Sequence, residues 1–175
     1  MIDESPMHWS TVDAAELYEV PRWGNGYFSV GPGGNVHVHP DRNPARSIDL
    51  RQLVETLQMR GLDVPVLLRF NGIIRDRLFV LHKAFSDAIK EHNYRGKYAC
   101  VYPIKVNQQR EVVEKVVEYG REFGFGLEAG SKAELLIALA HLEPDTGYIV
   151  CNGYKDEDFM DLALQSMRLG YKCLI

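Results

Sequence analysis

The chain has 175 residues, a formal net charge of −4, and 46% apolar against 25% charged residues, the balance of an ordinary globular domain. That charge argues against a nucleic-acid-binding face. There is no run of eighteen apolar residues to span a membrane, and the opening "MIDESPMHWS" is acidic and lacks the apolar core of a signal peptide.

Residues 1–71 are irregular and punctuated. "GYFSV" and "NVHVHP" alternate like short strands on either side of "GPGG", which reads as a hairpin with a glycine-rich turn. His37 and His39 fall on one face of the second strand, as a metal pair would. Two imidazoles without a third ligand make a poor site, and a half-exposed hairpin explains them better. A helix is expected at roughly 47–60, capped by Ser47, with Ile48, Leu50, Leu53, Val54 and Leu57 at helical spacing and Gly61 as its stop. "VPVLLRF" then reads as one more strand.

Residues 72–95 predict a single helix with an apolar stripe of Ile73, Ile74, Leu78, Leu81, Phe85, Ala88 and Ile89. From Tyr98 the chain becomes regular. Strand-like runs begin near Tyr98, Phe125, Tyr148 and Tyr171, and every gap between them holds a helix pattern. The first helix has Asn107 as a candidate cap, Val112, Val113, Val116 and Val117 inside, and Gly120 at its end. The second opens on "SKAE", a capping box of Ser131 and Glu134. The third runs from about Asp156 to Leu169 and closes on Gly170. Its acidic start, "KDEDFMD", suits a helix N-terminus, and no metal ligand is assigned. The three cysteines, Cys100, Cys151 and Cys173, lack a CxxC and read as free thiols in a reducing cytoplasm.

Alternating strands and helices mean parallel strands joined by right-handed crossovers. Either an open doubly wound sheet or an eight-stranded barrel has this rhythm. No GxGxxG is present: "GFGLEAG" spaces its glycines wrongly, and Gly124 and Gly126 are expected inside the strand. By period two, Lys105 shares a face with Ala99, Val101 and Pro103, and Glu128 shares one with Gly126 and Gly124, whereas Phe125 and Leu127 point toward helices. Small residues beneath a polar one at the C-terminal end of a strand fit a crowded barrel interior with chemistry at its mouth. A closed barrel needs about 250 residues, and this chain stops within a fourth strand, "YKCLI". The expectation is therefore an amino-terminal fragment of a larger enzyme.

Lys105 ends the mostly apolar stretch "YACVYPIKVNQQ". Most lysines are solvated, so the plain reading is a strand-end lysine reaching solvent. One placed at a barrel mouth and partly buried is disfavoured as an ammonium and can act as a nucleophile that forms a Schiff base. The motifs "VYPIKVNQQ", "GLEAGSKAEL" and "CNGYKD" together resemble the biosynthetic arginine decarboxylase family. "WGNGYFSV", "IDL", "LLRF" and "AFSDAI" resemble its amino-terminal part in the same order. The resemblance runs from about Trp9 to Ile175. The related ornithine and diaminopimelate decarboxylases share the lysine but have different flanking residues.

The resemblance implies a fold type III pyridoxal phosphate enzyme, an alanine-racemase-like barrel joined to a β-sandwich. The fold class expected is α/β: residues 1–71 contribute strands and a helix to the sandwich, and residues 72–175 begin the (β/α)8 barrel that binds pyridoxal phosphate. Lys105 matches the lysine that carries the cofactor, and Glu128 matches an acidic residue on the second strand that lies beside it. Asn107, Ser131, Asn152 and Lys155 fall at the ends of the strands, with structural roles at least as natural as functional ones. The activity implied is decarboxylation of L-arginine to agmatine and carbon dioxide, in a route to polyamines. A magnesium requirement and a homo-oligomer with active sites between subunits are implied as well. The phosphate cradle and the substrate-contacting groups are expected past Ile175. Two other readings stay open: a decarboxylase or racemase of the same fold acting on another amino acid, and a non-catalytic barrel that carries pyridoxal phosphate on the same lysine.

Overall fold

A computed structural model describes residues 9–175. The chain divides into two compact units, one ending at Ile73 and the other covering Ile74–Ile175.

In the first unit, α1 (Thr11–Leu17) is opened by a capping box. Ser10 Oγ accepts from the Asp13 N–H, and the Asp13 carboxylate accepts from the Ser10 N–H at 2.7 Å. A short α2 (Val20–Gly24) leads into the hairpin of β1 (Phe28–Val30) and β2 (Val36–Val38), and β3 (Ile48–Asp49) pairs antiparallel on the far side of β2. Val20, Tyr27 and Val38 are its buried apolar residues.

The helix that follows, α3 (Leu50–Met59), is capped by Asp49, which accepts from the N–H groups of Arg51 and Gln52. The cap expected at Ser47 is thus two residues early; Ser47 Oγ instead lies 2.5 Å from His37 Nδ1. His39 is buried, which a half-exposed hairpin does not provide for, and its Nε2 lies 2.8 Å from Ser29 Oγ. "VPVLLRF" forms no strand. Pro65 has no N–H to give a ladder, and Val64, Val66 and Leu67 remain exposed.

α4 (Asn71–Glu91) follows as one long helix. Its Phe85 ring stacks on Tyr98 at 4.0 Å, and its His82 ring stacks on Phe123 at 4.5 Å. Then come β4 (Val101–Pro103), a 3-10 turn (Ile104–Val106), α5 (Arg110–Gly120), β5 (Gly126–Ala129), α6 (Lys132–His141), β6 (Tyr148–Cys151), α7 (Glu157–Arg168) and β7 (Lys172–Leu174). Gly124, expected inside the strand, instead adopts a left-handed conformation at the end of a 3-10 turn and delivers the chain to β5.

The four strands lie parallel in the order β4-β5-β6-β7. Register divides their side chains into two rows. Tyr102, Leu127, Ile149 and Cys173 lie abreast on one face, and Pro103, Glu128, Val150 and Leu174 on the other. The first face packs with Val113 of α5, Leu135 and Ala138 of α6, and Phe159 and Ala163 of α7 into one apolar cluster. Each large side chain buried there contributes about 1.5–3 kcal/mol. All three crossover helices therefore cover the same face. A doubly wound sheet reverses its order and carries helices on both faces; consecutive order with helices on one face is the arrangement of half a (β/α)8 barrel. The other face, which bears Glu128, is the one a closed barrel turns inward. Among the described residues no helix is long and apolar enough to cross a membrane.

Candidate active site at the C-terminal edge of the parallel sheet

Parallel strands bring their C-terminal ends to one edge, and chemistry in a barrel collects there. Lys105 reaches that edge from the 3-10 turn after β4. Its neighbour Ile104 is fully buried in the helix-facing cluster, which anchors the turn. Tyr102 braces the segment by donating its hydroxyl to the Asn107 carbonyl at 3.1 Å, and burial raises the Tyr102 phenol above its ordinary value. Asn107 Oδ1 accepts from the Gln109 N–H at 3.1 Å, and Gln109, rather than Asn107, is the N-cap of α5.

Glu128 stands on β5 between Leu127 and Ala129, both fully buried toward the helices. Alternation therefore sends Glu128 to the opposite face. Its Oε1 lies 3.4 Å from Lys105 Nζ. The carboxylate side chain is only 16% exposed, whereas that of Lys105 is 59% exposed. The lysine is thus an accessible amine rather than a partly buried one, facing a sheltered carboxylate.

The loops after β5 and β6 complete this edge. Ser131 caps α6 by accepting from the Glu134 N–H at 3.2 Å. The Glu134 carboxylate accepts from Gly130, one residue earlier than a capping box requires, at 2.7 Å. Asn152 donates from Nδ2 to Glu128 Oε1 at 3.1 Å. Lys155 donates to the Gly153 carbonyl at 3.3 Å. Lys132, in the first turn of α6, lies 2.7 Å from Asp156 and 3.3 Å from Asp158 at the start of α7. Hydrogen bonding to Lys132 holds the Asp156 carboxyl below its usual value, and hydrogen bonding to Asp156 raises the Lys132 ammonium. This clasp joins two neighbouring helix N-termini.

The structure thus brings Lys105, Glu128 and Asn152 together and leaves Asn107, Ser131 and Lys155 in backbone-supporting roles. The Asn152–Glu128 bond and the Lys132 clasp are invisible in the linear sequence because both depend on register between successive units. Among the described residues no group of three or more His, Cys, Asp or Glu side chains is placed to hold a metal ion. His37 and His39 take separate partners in the hairpin unit.

Comparison with known proteins bears on what this edge does. Residues 78–169 match the family described as pyridoxal-dependent decarboxylase, pyridoxal binding domain. The biosynthetic arginine decarboxylase of Rhodopirellula baltica is 54% identical over 166 residues, covering 95% of this chain and 25% of the relative. That of Gloeobacter violaceus is 51% identical over 163 residues, covering 93% of this chain and 25% of the relative. The crystal structure of the biosynthetic arginine decarboxylase SpeA from Campylobacter jejuni superposes with a TM-score of 0.81 at 33% identity, over 89% of this chain and 25% of that one. The chain spans about a quarter of the length of these relatives. The family match covers more than half of the chain, including β4 to α7 with Lys105, Glu128 and Asn152, and so this chain belongs to the pyridoxal-dependent decarboxylases.

Proposed function

We propose that this chain is part of a pyridoxal phosphate-dependent arginine decarboxylase, which converts L-arginine to agmatine and carbon dioxide at the head of a route to polyamines. Lys105 is its cofactor-bearing lysine. The observation that carries the reading is the Lys105–Glu128 pair, 3.4 Å apart at the C-terminal edge of the parallel sheet and inside the family match. The names and high identity of the arginine decarboxylase relatives support the choice of substrate. In this reading residues 1–71 contribute to a β-sandwich and residues 72–175 begin the barrel. On the same reading the enzyme is homo-oligomeric and uses Mg2+, both following from resemblance to the family, and is cytoplasmic, in keeping with its free cysteines.

The residues present fit the aldehyde end of the cofactor. An accessible primary amine is what an aldehyde requires, and the sheltered carboxylate beside it offers charge of the right sign. Pyridoxal phosphate, when bound, supplies an aldehyde and an electron-withdrawing ring that takes up the electron pair left by the departing carbon dioxide. Lys105 Nζ would be the group that holds the cofactor covalently through that aldehyde carbon. Glu128 stabilises positive charge on nitrogen at this position. When not bonded to the cofactor, Lys105 Nζ lies within reach of Glu128 and, protonated as an ammonium, would be placed to give a proton to the substrate α-carbon.

Borohydride reduction of the full-length protein loaded with pyridoxal phosphate, followed by peptide mapping, tests the assignment. The label is expected on Lys105, and a label on any other lysine overturns it. Lys105→Ala should abolish the visible absorbance of the bound cofactor and lower turnover by orders of magnitude, while Lys97→Ala and Lys115→Ala retain both. Carbon dioxide release should be far faster from L-arginine than from ornithine, lysine or diaminopimelate; preference for one of those three would replace the substrate.

A further inference from the structure

The Asn152 side chain has a job that its position after a strand does not explain. Glu128 is a long side chain on the open face, and two residues before it on that face stands Gly126, which offers no side chain to pack against. Alternation along the strand therefore leaves the carboxylate without lateral support from its own chain. Its described polar partners are Lys105 Nζ at 3.4 Å and Asn152 Nδ2 at 3.1 Å, both directed at the same oxygen, Oε1. The Lys105 side chain is long and exposed. Asn152 is the fixed one.

Two hydrogen bonds fix it. Its backbone N–H donates to the Ala129 carbonyl at 2.8 Å, which extends the β5–β6 ladder by one residue. Its Oδ1 accepts from the Gly153 N–H at 2.8 Å. Gly153 itself has φ +84°, and a Cβ there would lie 2.5 Å from the Gly130 carbonyl oxygen, so the turn passes close against the loop that leaves β5 and needs glycine there. With Oδ1 occupied by a donor, the amide can present only its NH2 group to Glu128. The amide orientation follows from this bonding and leaves no alternative.

We propose that Asn152 is a positioning residue: its Nδ2 holds the Glu128 carboxylate in the orientation that faces Lys105. The inference rests on the assignment of Lys105 as cofactor-bearing lysine. The other charged groups at this edge have their own partners: Glu134 takes the Gly130 N–H, Lys155 the Gly153 carbonyl, and Lys132 the pair Asp156 and Asp158. None of them replaces the Asn152 amide.

Asn152→Asp separates positioning from a purely structural role in the turn. The substituted carboxylate still accepts from the Gly153 N–H, so the turn keeps its bond. Toward Glu128 it replaces a donor with a like charge, and two carboxylates at hydrogen-bond distance share a proton and titrate together at raised pH. Expected of the full-length Asn152→Asp protein are wild-type thermal stability and at least a tenfold weaker Kd for pyridoxal phosphate, read by absorbance. The binding should recover as the pH is lowered and the pair takes up a proton. Asn152→Ala, which removes the donor without adding charge, should weaken binding at every pH with no such recovery, and it keeps the test open if the Asp variant does not fold. Wild-type affinity in both variants, or the same pH dependence of binding in all three proteins, overturns the proposal. Borohydride mapping of the wild-type protein distinguishes the two failures: a label on Lys105 with unaffected Asn152 variants removes only the positioning role, and a label elsewhere removes the reading on which it rests.

Discussion

Replacing Gly126 with alanine should damage the fold and the site together. Gly126 opens β5, and a Cβ added there would lie 1.9 Å from the Tyr148 carbonyl oxygen and 2.7 Å from the Tyr148 nitrogen. Both are backbone atoms of β6, so no side-chain rotation relieves the clash. Non-bonded heavy atoms settle at about 3.5 Å, so the two strands must part by more than an ångström. Overpacking of this kind costs about 1–3 kcal/mol. β5 and β6 are joined over three residue pairs, and losing one or two ladder bonds adds about 1 kcal/mol each. The expected destabilisation is therefore about 2–5 kcal/mol, a large share of the 5–15 kcal/mol that holds a typical domain. The same parting stretches the Asn152–Glu128 bond, since its donor follows β6 and its acceptor stands on β5. Urea unfolding of the full-length protein, read as a shift in midpoint at constant slope, measures the first effect, and cofactor affinity measures the second. Gly33→Ala is the control, because nothing lies within 4 Å of an added Cβ there. A Gly126→Ala protein within 0.5 kcal/mol of wild type by this measure would show that the β5–β6 spacing is not the constraint described here.

Three further outcomes follow from the packing. Burial, with the Cys151 thiol beside it, pushes the Cys173 thiol up from 9.0 to about 11; the folded state therefore keeps a proton that the unfolded chain has lost, and stability should fall as pH rises from about 9 to about 11, a limb that Cys173→Ala flattens in urea titrations. The Asp49 carboxyl is held below 3.8, first by its hydrogen bond from Asn35 and then by its cap bonds to Gln52 and Arg51. Its stabilising contribution is thus present above that value and lost as pH falls below it, so Asp49→Ala should lower stability at pH 7 and reduce the acid sensitivity of α3, measured by hydrogen exchange of the helix amides. Expressed alone, the 175-residue chain exposes Leu174 and Ile175 at its edge strand β7, so it should associate or unfold non-cooperatively and release no carbon dioxide from arginine; a monodisperse, cooperatively unfolding and active species on size exclusion, thermal melt and gas release would contradict this.

What could be read from the sequence was local, and what could not was relational. Ser131 and Asp156 announce their helices because a cap needs only the next three residues, and both side chains accept from the backbone as that chemistry requires. Alternation puts Leu127 and Glu128 on opposite faces with no knowledge of any other strand, and the structure keeps them there. "VPVLLRF" has every local property of a strand yet forms none, because a strand also needs a neighbour, and Pro65 gives a neighbour nothing to accept. Ser47 and Asp49 are both acceptable caps for α3 by residue type; the choice falls to Asp49 because Ser47 lies against His37 across the sheet. Pair geometry at the candidate site follows the same logic. The 3.4 Å between Lys105 and Glu128 depends on Pro103 standing abreast of Glu128, and the Asn152 bond depends on Glu128 standing abreast of Val150. A shift of either strand by one residue would leave every helix cap intact and turn Glu128 away from both partners. Residue types at strand ends therefore nominate the chemistry, and the register of the sheet decides which of them meet.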